Sequence, residues 1–589
     1  MGNSGSNGKS FSPKSSGKIK SSESSSNMFS SKWSEGDSGK LESTNYIEDM
    51  VCKESDIQEN EMKQLPLGSD GDKILLIKQQ GKLYAIGNKC THYGAPLVTG
   101  ALGDGRVRCP WHGACFNIET GDIEDYPGLD SIPRYKVSTI EGQVKVRAKK
   151  SDLAANRREK LTYELKEGNP DVAVIIGGGP AGATCAESLR QEGFEGRIVM
   201  VCKEKVLPYD RVKVSKVIDL DINKILLRSQ CFYDKHNIET KLGVEALSLD
   251  TKNQKVTLSN CEKLSYTSLF IATGSKPRKP DFQGVNLRNI FTIRNYTDAQ
   301  ALHRVLSSQC KKHVVILGAN FIGMEIASYC ADKTASVTII GKYCVPLTHV
   351  FGDEIGKSIK KVFEEKGVTF ITQNSICKCI PKVNNDEIVG QVELQDGRIL
   401  QADIVILGIG STFYTNWLTD SNITLLQDGS IEVDKYLTTN VPNVFAGGDI
   451  AFAPVYSANK SATIGHFALA QYHGKIAARN MCKKETPLRA IPFFWTTLFG
   501  KSYRYSGYGK STSIKVHGSL SESKFFAYHF KDGKVIAMSS LGRDPIVSDF
   551  ANYIYEGKCL SEKSVTNNPT KWMRNLPADL KPPTPECES

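Results

Sequence analysis

Val172-Ala173-Val174-Ile175-Ile176-Gly177-Gly178-Gly179-Pro180-Ala181-Gly182 decides the fold of most of this chain. Its first five residues are apolar and mostly β-branched, which reads as a strand buried on both faces, and a helix-compatible run follows to about Gln191. Glycines between such a strand and a helix permit a tight turn and let the backbone approach a pyrophosphate at the helix N-terminus. In that setting the motif is a dinucleotide fingerprint, with Gly177, Gly179, Ala181 and Gly182 as cofactor contacts. The next strand, Arg197-Ile198-Val199-Met200-Val201-Cys202, ends near Glu204. A carboxylate about 20 residues past the glycines can accept hydrogen bonds from a ribose, the alternative being an ordinary surface acid.

The device recurs at His313-Val314-Val315-Ile316-Leu317, which leads into Gly318-Ala319-Asn320-Phe321-Ile322-Gly323. Two fingerprints imply two nucleotides, the second contacted by Gly318 and Gly323. Asn320 replaces the middle glycine, so its Cβ has to be accommodated beside the pyrophosphate, one way being a left-handed backbone, which Asn adopts more readily than most residues. The following strand, Ser336-Val337-Thr338-Ile339-Ile340, ends in Gly341-Lys342 with no acid to read a ribose 2′-OH. Discrimination against a 2′-phosphate should therefore be weak, unless Lys342 is merely solvated.

Upstream, Cys90-Thr91-His92 and Cys109-Pro110-Trp111-His112 place two thiols and two imidazoles on neighbouring loops. Cys90, His92, Cys109 and His112 form the ligand pattern of a Rieske 2Fe-2S centre, two Cys on one iron and two His on the other. A Cys2His2 zinc site is the alternative, although structural zinc usually pairs C-x(2–4)-C with H-x(3–5)-H. Around these loops, short runs such as Lys73-Ile77, Leu83-Ile86 and Gln143-Val146 alternate with Gly-marked turns, as in a small all-β module.

Composition bounds the rest. The 589 residues carry 75 Lys+Arg against 64 Asp+Glu, a formal charge of +11. The excess is scattered, which argues for a solvated surface and no specific nucleic-acid groove. Sixteen Cys without a C-x-x-C suggest reduced thiols and no dithiol relay. No stretch reaches the roughly 18 apolar residues of a spanning helix. Residues 1–44 are Ser/Gly/Lys-rich and read as a disordered tail. The tail opens Met1-Gly2-Asn3-Ser4-Gly5-Ser6, the M-G-x-x-x-[ST] acylation pattern, followed by Lys9, Lys14, Lys18 and Lys20. Myristoylation at Gly2 with these lysines would hold the chain at an anionic membrane surface. The expected setting is cytoplasmic, with mitochondrial or membrane-associated placement as alternatives.

The expected order is a Rieske domain (45–148), a linker (149–168), an FAD-binding domain in two parts (169–295 and 435–485) around an NAD(P)-binding domain (296–434), a C-terminal domain (486–576) and a tail (577–589). The fold class is multidomain: an all-β Rieske domain and an α/β region with two dinucleotide-binding domains, which resemblance to known flavoproteins implies to be a flavoprotein reductase with an α+β C-terminal domain.

This order resembles the Rieske-bearing apoptosis-inducing-factor-like flavoproteins of the apoptosis-inducing factor 3 type, within the FAD-dependent pyridine nucleotide-disulfide oxidoreductase superfamily. The resemblance runs from about residue 50 to 560. It is carried by the cluster loops Cys90-Leu97 and Arg108-Asn117, by Leu207-Pro208-Tyr209-Asp210-Arg211 with Ser215-Lys216, by Ala272-Thr273-Gly274, and by Val444-Phe445-Ala446-Gly447-Gly448-Asp449. It implies FAD contacts from Arg211, Lys216, Ala272, Thr273, Gly274 and Asp449. It also implies that Glu325 sits near the nicotinamide and flavin faces, with His466 and Trp495 beside the isoalloxazine. By the same comparison, Ala95, Trp111, Ala114 and Phe116 stand where high-potential Rieske loops carry a disulfide and hydroxyl donors. A potential near the low end of the Rieske range, roughly −150 mV, is expected.

A nicotinamide gives up two electrons as a hydride, a flavin releases them singly, and a 2Fe-2S cluster takes one. The expected activity is therefore NAD(P)H oxidation through FAD to the Rieske cluster and on to an unknown acceptor. The other classes are a cell-death or signalling protein that retains the redox fold, and a zinc-stabilised scaffold. Oligomeric state is not legible.

Overall fold

The computed structural model describes residues 45–576 and Leu580, except positions 70 and 309. The readings for 1–44, Gly2 included, and for the end of the chain other than Leu580 lie outside the described residues.

Alternating apolar residues build the Rieske module as an antiparallel six-stranded sheet, ordered Tyr46–Lys53, Gln143–Lys149, Arg134–Ile140, Lys82–Gly87, Lys73–Gln79, Glu61–Pro66. A second sheet of four short strands, Ala101–Gly103, Arg106–Arg108, Cys115–Asn117 and Ile123–Asp125, supports the ligand loops.

Next come two parallel five-stranded sheets. The first runs Ile238–Leu242, Arg197–Cys202, Val172–Ile176, Ser268–Ile271, Val444–Ala446; the second runs Ile290–Phe291, Ile404–Leu407, His313–Leu317, Ser336–Gly341, Val368–Thr372. Their central strands are apolar on both faces because helices cover them. Strand Ile290–Phe291 pairs with Ile404–Leu407, so the second sheet begins before residue 296. Strand Ser275–Pro277 pairs with Ser411–Phe413 across the expected 295/296 boundary, and Ile431–Glu432 with Ala451–Phe452 across 434/435, so pieces on both sides of each boundary are interleaved.

The C-terminal region is a five-stranded antiparallel sheet, from Phe493–Leu498 to Ser513–Ser519, backed by the helix Ile546–Tyr555. The expected linker is not a free connector. It contains the helix Lys150–Ala155, ended by Asn156 in the left-handed conformation. Asn156 Nδ2 donates to the Lys89 carbonyl at 2.8 Å, and Arg158 exchanges backbone hydrogen bonds with Ser131.

The Rieske module shares a continuous core with the first α/β domain: Leu97, Phe116 and Tyr126 belong to the same buried cluster as Ile175, Phe270 and Ala477. Polar contacts reinforce this joint through Gln471 and add a second one with the C-terminal region. Arg108, 1% exposed, donates from Nε to Asn552 at 2.9 Å and from Nη2 to Asp125 at 2.6 Å. Ser548 donates to the Cys109 carbonyl at 3.0 Å, Arg504 to the Trp111 carbonyl at 3.0 Å, and Gln471 to the Gly128 carbonyl at 3.0 Å.

Candidate functional site

The two ligand loops fold alike. Cys90 N–H bonds the Ala95 carbonyl (2.9 Å) as Cys109 N–H bonds that of Ala114 (2.7 Å); Gly94 and Gly113, both at positive φ, close each turn onto the cysteine carbonyl. Cys90 and Cys109 are buried and hydrogen-bonded to each other. Burial opposes ionisation of Cys109, yet its bond with Cys90 and the N–H groups of Trp111 and His112 hold its pKa below the ordinary thiol value. His92 Nδ1 and His112 Nδ1 converge to 3.1 Å. Burial pushes His92 down to about 3, with help from Lys213, and His112 to about 2, with help from His92. Neutral imidazoles and thiols that receive backbone N–H bonds are what iron ligation needs, so this donor set fits a 2Fe-2S cluster. Cys115 is buried and unpaired, its thiol pushed up to about 11 by burial.

Beside these loops lies a cavity of about 1300 Å³. Gly177, Gly179, Ala181, Glu204, Arg211, Lys216, Ala272, Thr273, Gly274, Glu325, Asp449, His466 and Trp495 all line it. A Cβ on Gly177, whose φ is +128°, would sit 2.2 Å from the Ala272 carbonyl oxygen, and one on Gly182 would sit 1.9 Å from that of Gly177. Gly179 has nothing within 4 Å of where a Cβ would point. That open cradle at the start of the helix Pro180–Gln191 suits a pyrophosphate, so the cavity fits FAD.

Several side chains meet partners that the sequence did not announce. At the cavity wall Glu204 is held by Arg211 and by Tyr209 Oη, at 2.7 Å. Lys216 donates to Glu325 Oε1 at 2.6 Å, and the same carboxylate accepts from Ser215 (2.5 Å) and Thr496 (2.8 Å). Asp449 Oδ2 accepts from Ser275 at 2.9 Å and from Arg294 at 2.8 Å. Arg294 and Thr496 went unnoticed because no local motif marks them. His466 caps the helix Phe467–Met481 by accepting from Leu469 N–H, and burial holds it down at about 4.

At the second fingerprint a Cβ on Gly318 would lie 2.0 Å from the Gly408 carbonyl oxygen, and one on Gly323 2.1 Å from that of Gly318. Asn320 does not take the left-handed backbone. It is extended (φ −96°), because its Oδ1 caps the helix Phe321–Cys330 at Gly323 N–H, 3.1 Å, while its Nδ2 holds the Gly408 carbonyl.

Aromatic rings join cluster loops and cavity. The His112 ring centroid lies 4.1 Å from that of Trp495, and both His92 and His466 lie 6.0 Å from it.

Residues 171–474 match the model of the pyridine nucleotide-disulphide oxidoreductases, and 48–136 that of the Rieske [2Fe-2S] domain. Apoptosis-inducing factor 3 of Mus musculus is 38% identical over 526 residues, 88% of this chain and 86% of its own length. The chain belongs to that Rieske-bearing oxidoreductase family. A more distant relative is the benzene 1,2-dioxygenase system ferredoxin–NAD(+) reductase subunit of Pseudomonas putida, 28% identical over 68% of this chain and 96% of its own. The ferredoxin reductase for the CYP199A2 system from Rhodopseudomonas palustris shares the fold, with a TM-score of 0.64 and 24% identity over 68% of this chain and 98% of that one. Family membership makes the chain an NAD(P)H oxidoreductase with FAD and a 2Fe-2S cluster as cofactors.

Proposed function

We propose that this chain takes reducing equivalents from NAD(P)H at its flavin site and passes them, one electron at a time, through its own Rieske centre to an external acceptor. The carrying observation is the packing of His112 against Trp495, whose other neighbours include the cavity residue His466. The cofactors supply the redox chemistry; the protein supplies position and environment. In this reading Cys90, His92, Cys109 and His112 hold the cluster. Gly177, Gly179, Ala181, Gly182 and Asp449 form the FAD cradle, and Gly318 and Gly323 the nicotinamide nucleotide's. Glu325, fixed by Lys216, Ser215 and Thr496, orders the space where nicotinamide and flavin would meet. The relatives named as ferredoxin reductases support the reading, since a docked Rieske module gives this chain an iron–sulfur carrier within the same polypeptide.

The test is anaerobic mixing of holoprotein with NADH or NADPH, following flavin bleaching by absorbance and cluster reduction by EPR. Cluster reduction that trails flavin reduction and does not depend on protein concentration is expected. Bleaching of the flavin with an EPR-silent, oxidised cluster would overturn the own-cluster path, and failure of both nucleotides to bleach the flavin would favour the signalling alternative.

A further inference from the structure

The C-terminal sheet grips the ligand loop that starts at Cys109 with one cross-strand pair. Strands Phe493–Leu498 and Lys501–Gly507 are antiparallel neighbours in which Trp495 stands opposite Arg504, so both side chains leave the same face. Trp495 meets the His112 ring. Phe493, on that same face, packs so closely under the loop that a Cβ on Gly113 would lie 2.6 Å from its Cγ. Arg504 takes the backbone instead: its Nε donates to the Trp111 carbonyl at 3.0 Å.

That carbonyl shares a peptide unit with the His112 N–H, which bonds the Cys109 sulfur. A trans peptide points the two groups in opposite directions, so a donor that fixes the carbonyl also aims the N–H. Hydrogen bonds in such a chain polarise one another, and a cationic donor at the far end makes the N–H a stronger donor to sulfur. Ala114 and Phe116 carry no hydroxyl to give, which leaves this work to the backbone.

Arg504 also brings a charge. Its side chain is 8% exposed, whereas that of Asp544, which it meets through Nη1 at 3.1 Å, is 30% exposed. Solvent screens the carboxylate more than the guanidinium, and it is Nε of Arg504 that faces the loop. The other cations near the two loops have carboxylates close by: Arg108 with Asp125, Lys216 with Glu325, and Lys213 with Asp210, both at Tyr93.

We propose that Arg504 is a positioning residue of the cluster site: through the Trp111–His112 peptide and by its own charge it favours the cluster with one electron added, and so raises the cluster's reduction potential. An added electron makes the cluster more negative, and net charge and hydrogen bonds to sulfur are what set the potential of such centres. The electron comes from the flavin in the path above; no bond forms or breaks. The C-terminal domain thereby tunes the redox site as well as seating it.

The test is a mediated titration of the full-length holoprotein with dithionite, read by EPR for the cluster and by absorbance for the flavin. In Arg504→Gln the equilibrium constant for cluster reduction should fall about tenfold, which for one electron is about 59 mV. Asp544→Asn removes the countercharge and keeps the bond to Trp111, so the same constant should rise, by about threefold or more. Iron and acid-labile sulfide should stay at wild-type content, and the flavin potential should not move. An Arg504→Gln cluster at or above the wild-type potential, an Asp544→Asn potential that is unchanged or lower, or an equal shift of the flavin would overturn the proposal. If Arg504→Gln purifies without its cluster, Asp544→Asn decides alone. Dithionite reduces the cluster without NAD(P)H, so a cluster that the nicotinamide fails to reduce would refute the electron path and leave this measurement intact.

Discussion

His112 and Trp495 pack with their ring planes inclined by 38°, and this contact is where the Rieske loops meet the wall of the flavin cavity. Trp495→Ala leaves the ligands in place but removes the matter between them and the cavity. Cluster reduction in Trp495→Ala should fall severalfold relative to flavin reduction. Rapid-freeze EPR measures this, and an unchanged ratio would remove Trp495 from the path.

His92→Ala deletes one of the two converging imidazoles, 3.1 Å from the other, and leaves the flavin cradle intact. The variant should purify with FAD but without acid-labile sulfide. It should reduce two-electron dyes with NAD(P)H, while one-electron delivery to a protein acceptor falls sharply. Anaerobic wild-type protein that contains zinc and no iron would refute the assignment.

Much of the fold was legible because local rules agree with the global structure. Val172–Ile176, Pro180–Gln191, Arg197–Cys202 and His313–Leu317 begin and end where their apolar runs and glycines do. Asp532-Gly533 makes the tight hairpin that a D-G pair signals, both residues at positive φ (50° and 69°). The convergence of Cys90, His92, Cys109 and His112 was readable because their spacing is local. The joint between modules was not, since Arg108–Asn552 and Tyr93–Asp210 link residues far apart in the chain and periodicity carries no such information. Asn320 was ambiguous because Asn suits both a left-handed turn and a helix cap, and the free carbonyl of Gly408 together with Gly323 N–H decides for the cap.

Arg228 ties the modules through a buried network. It donates from Nη2 to Asp130 at 2.6 Å and from Nε to Glu187 at 2.9 Å, all three groups being largely shielded from solvent. Burial raises the Glu187 pKa above the ordinary carboxylate value even with Arg228 beside it. A carboxyl raised in the folded state favours folding at low pH and loses that contribution as pH rises through its folded value. Arg228→Met removes the compensating charge, so the folded value rises further. The expected loss is about 3–5 kcal/mol at neutral pH, as when one partner of a buried pair is deleted, and less at pH 5 than at pH 8. Denaturant melts at the two pH values measure this; equal losses at both would show that Glu187 is not the group left stranded.

Nicotinamide choice follows from the strand Ser336–Gly341, which ends without an acid and is followed by Lys342. A ribose pocket there has no carboxylate to hydrogen-bond a 2′-OH or to repel a 2′-phosphate, so preference should be weak or tilted to NADPH. Gly341 can take a side chain with a small local adjustment: its φ lies outside the left-handed region, and an added Cβ would lie 3.8 Å from the Tyr343 carbonyl oxygen and 3.3 Å from the Ala319 methyl, which must give by a few tenths of an ångström. Gly341→Glu should therefore fold and shift the NADPH to NADH ratio of kcat/KM toward NADH. A charged contact worth about 1 to 2 kcal/mol corresponds to a change of roughly five- to thirtyfold. Most of it should appear as a higher KM for NADPH, because the new carboxylate repels a group that is equally charged in ground and transition states. Steady-state flavin-dependent dye reduction with each nucleotide gives the ratio. A wild type that strongly prefers NADH, with a ratio unmoved by Gly341→Glu, would place the ribose elsewhere.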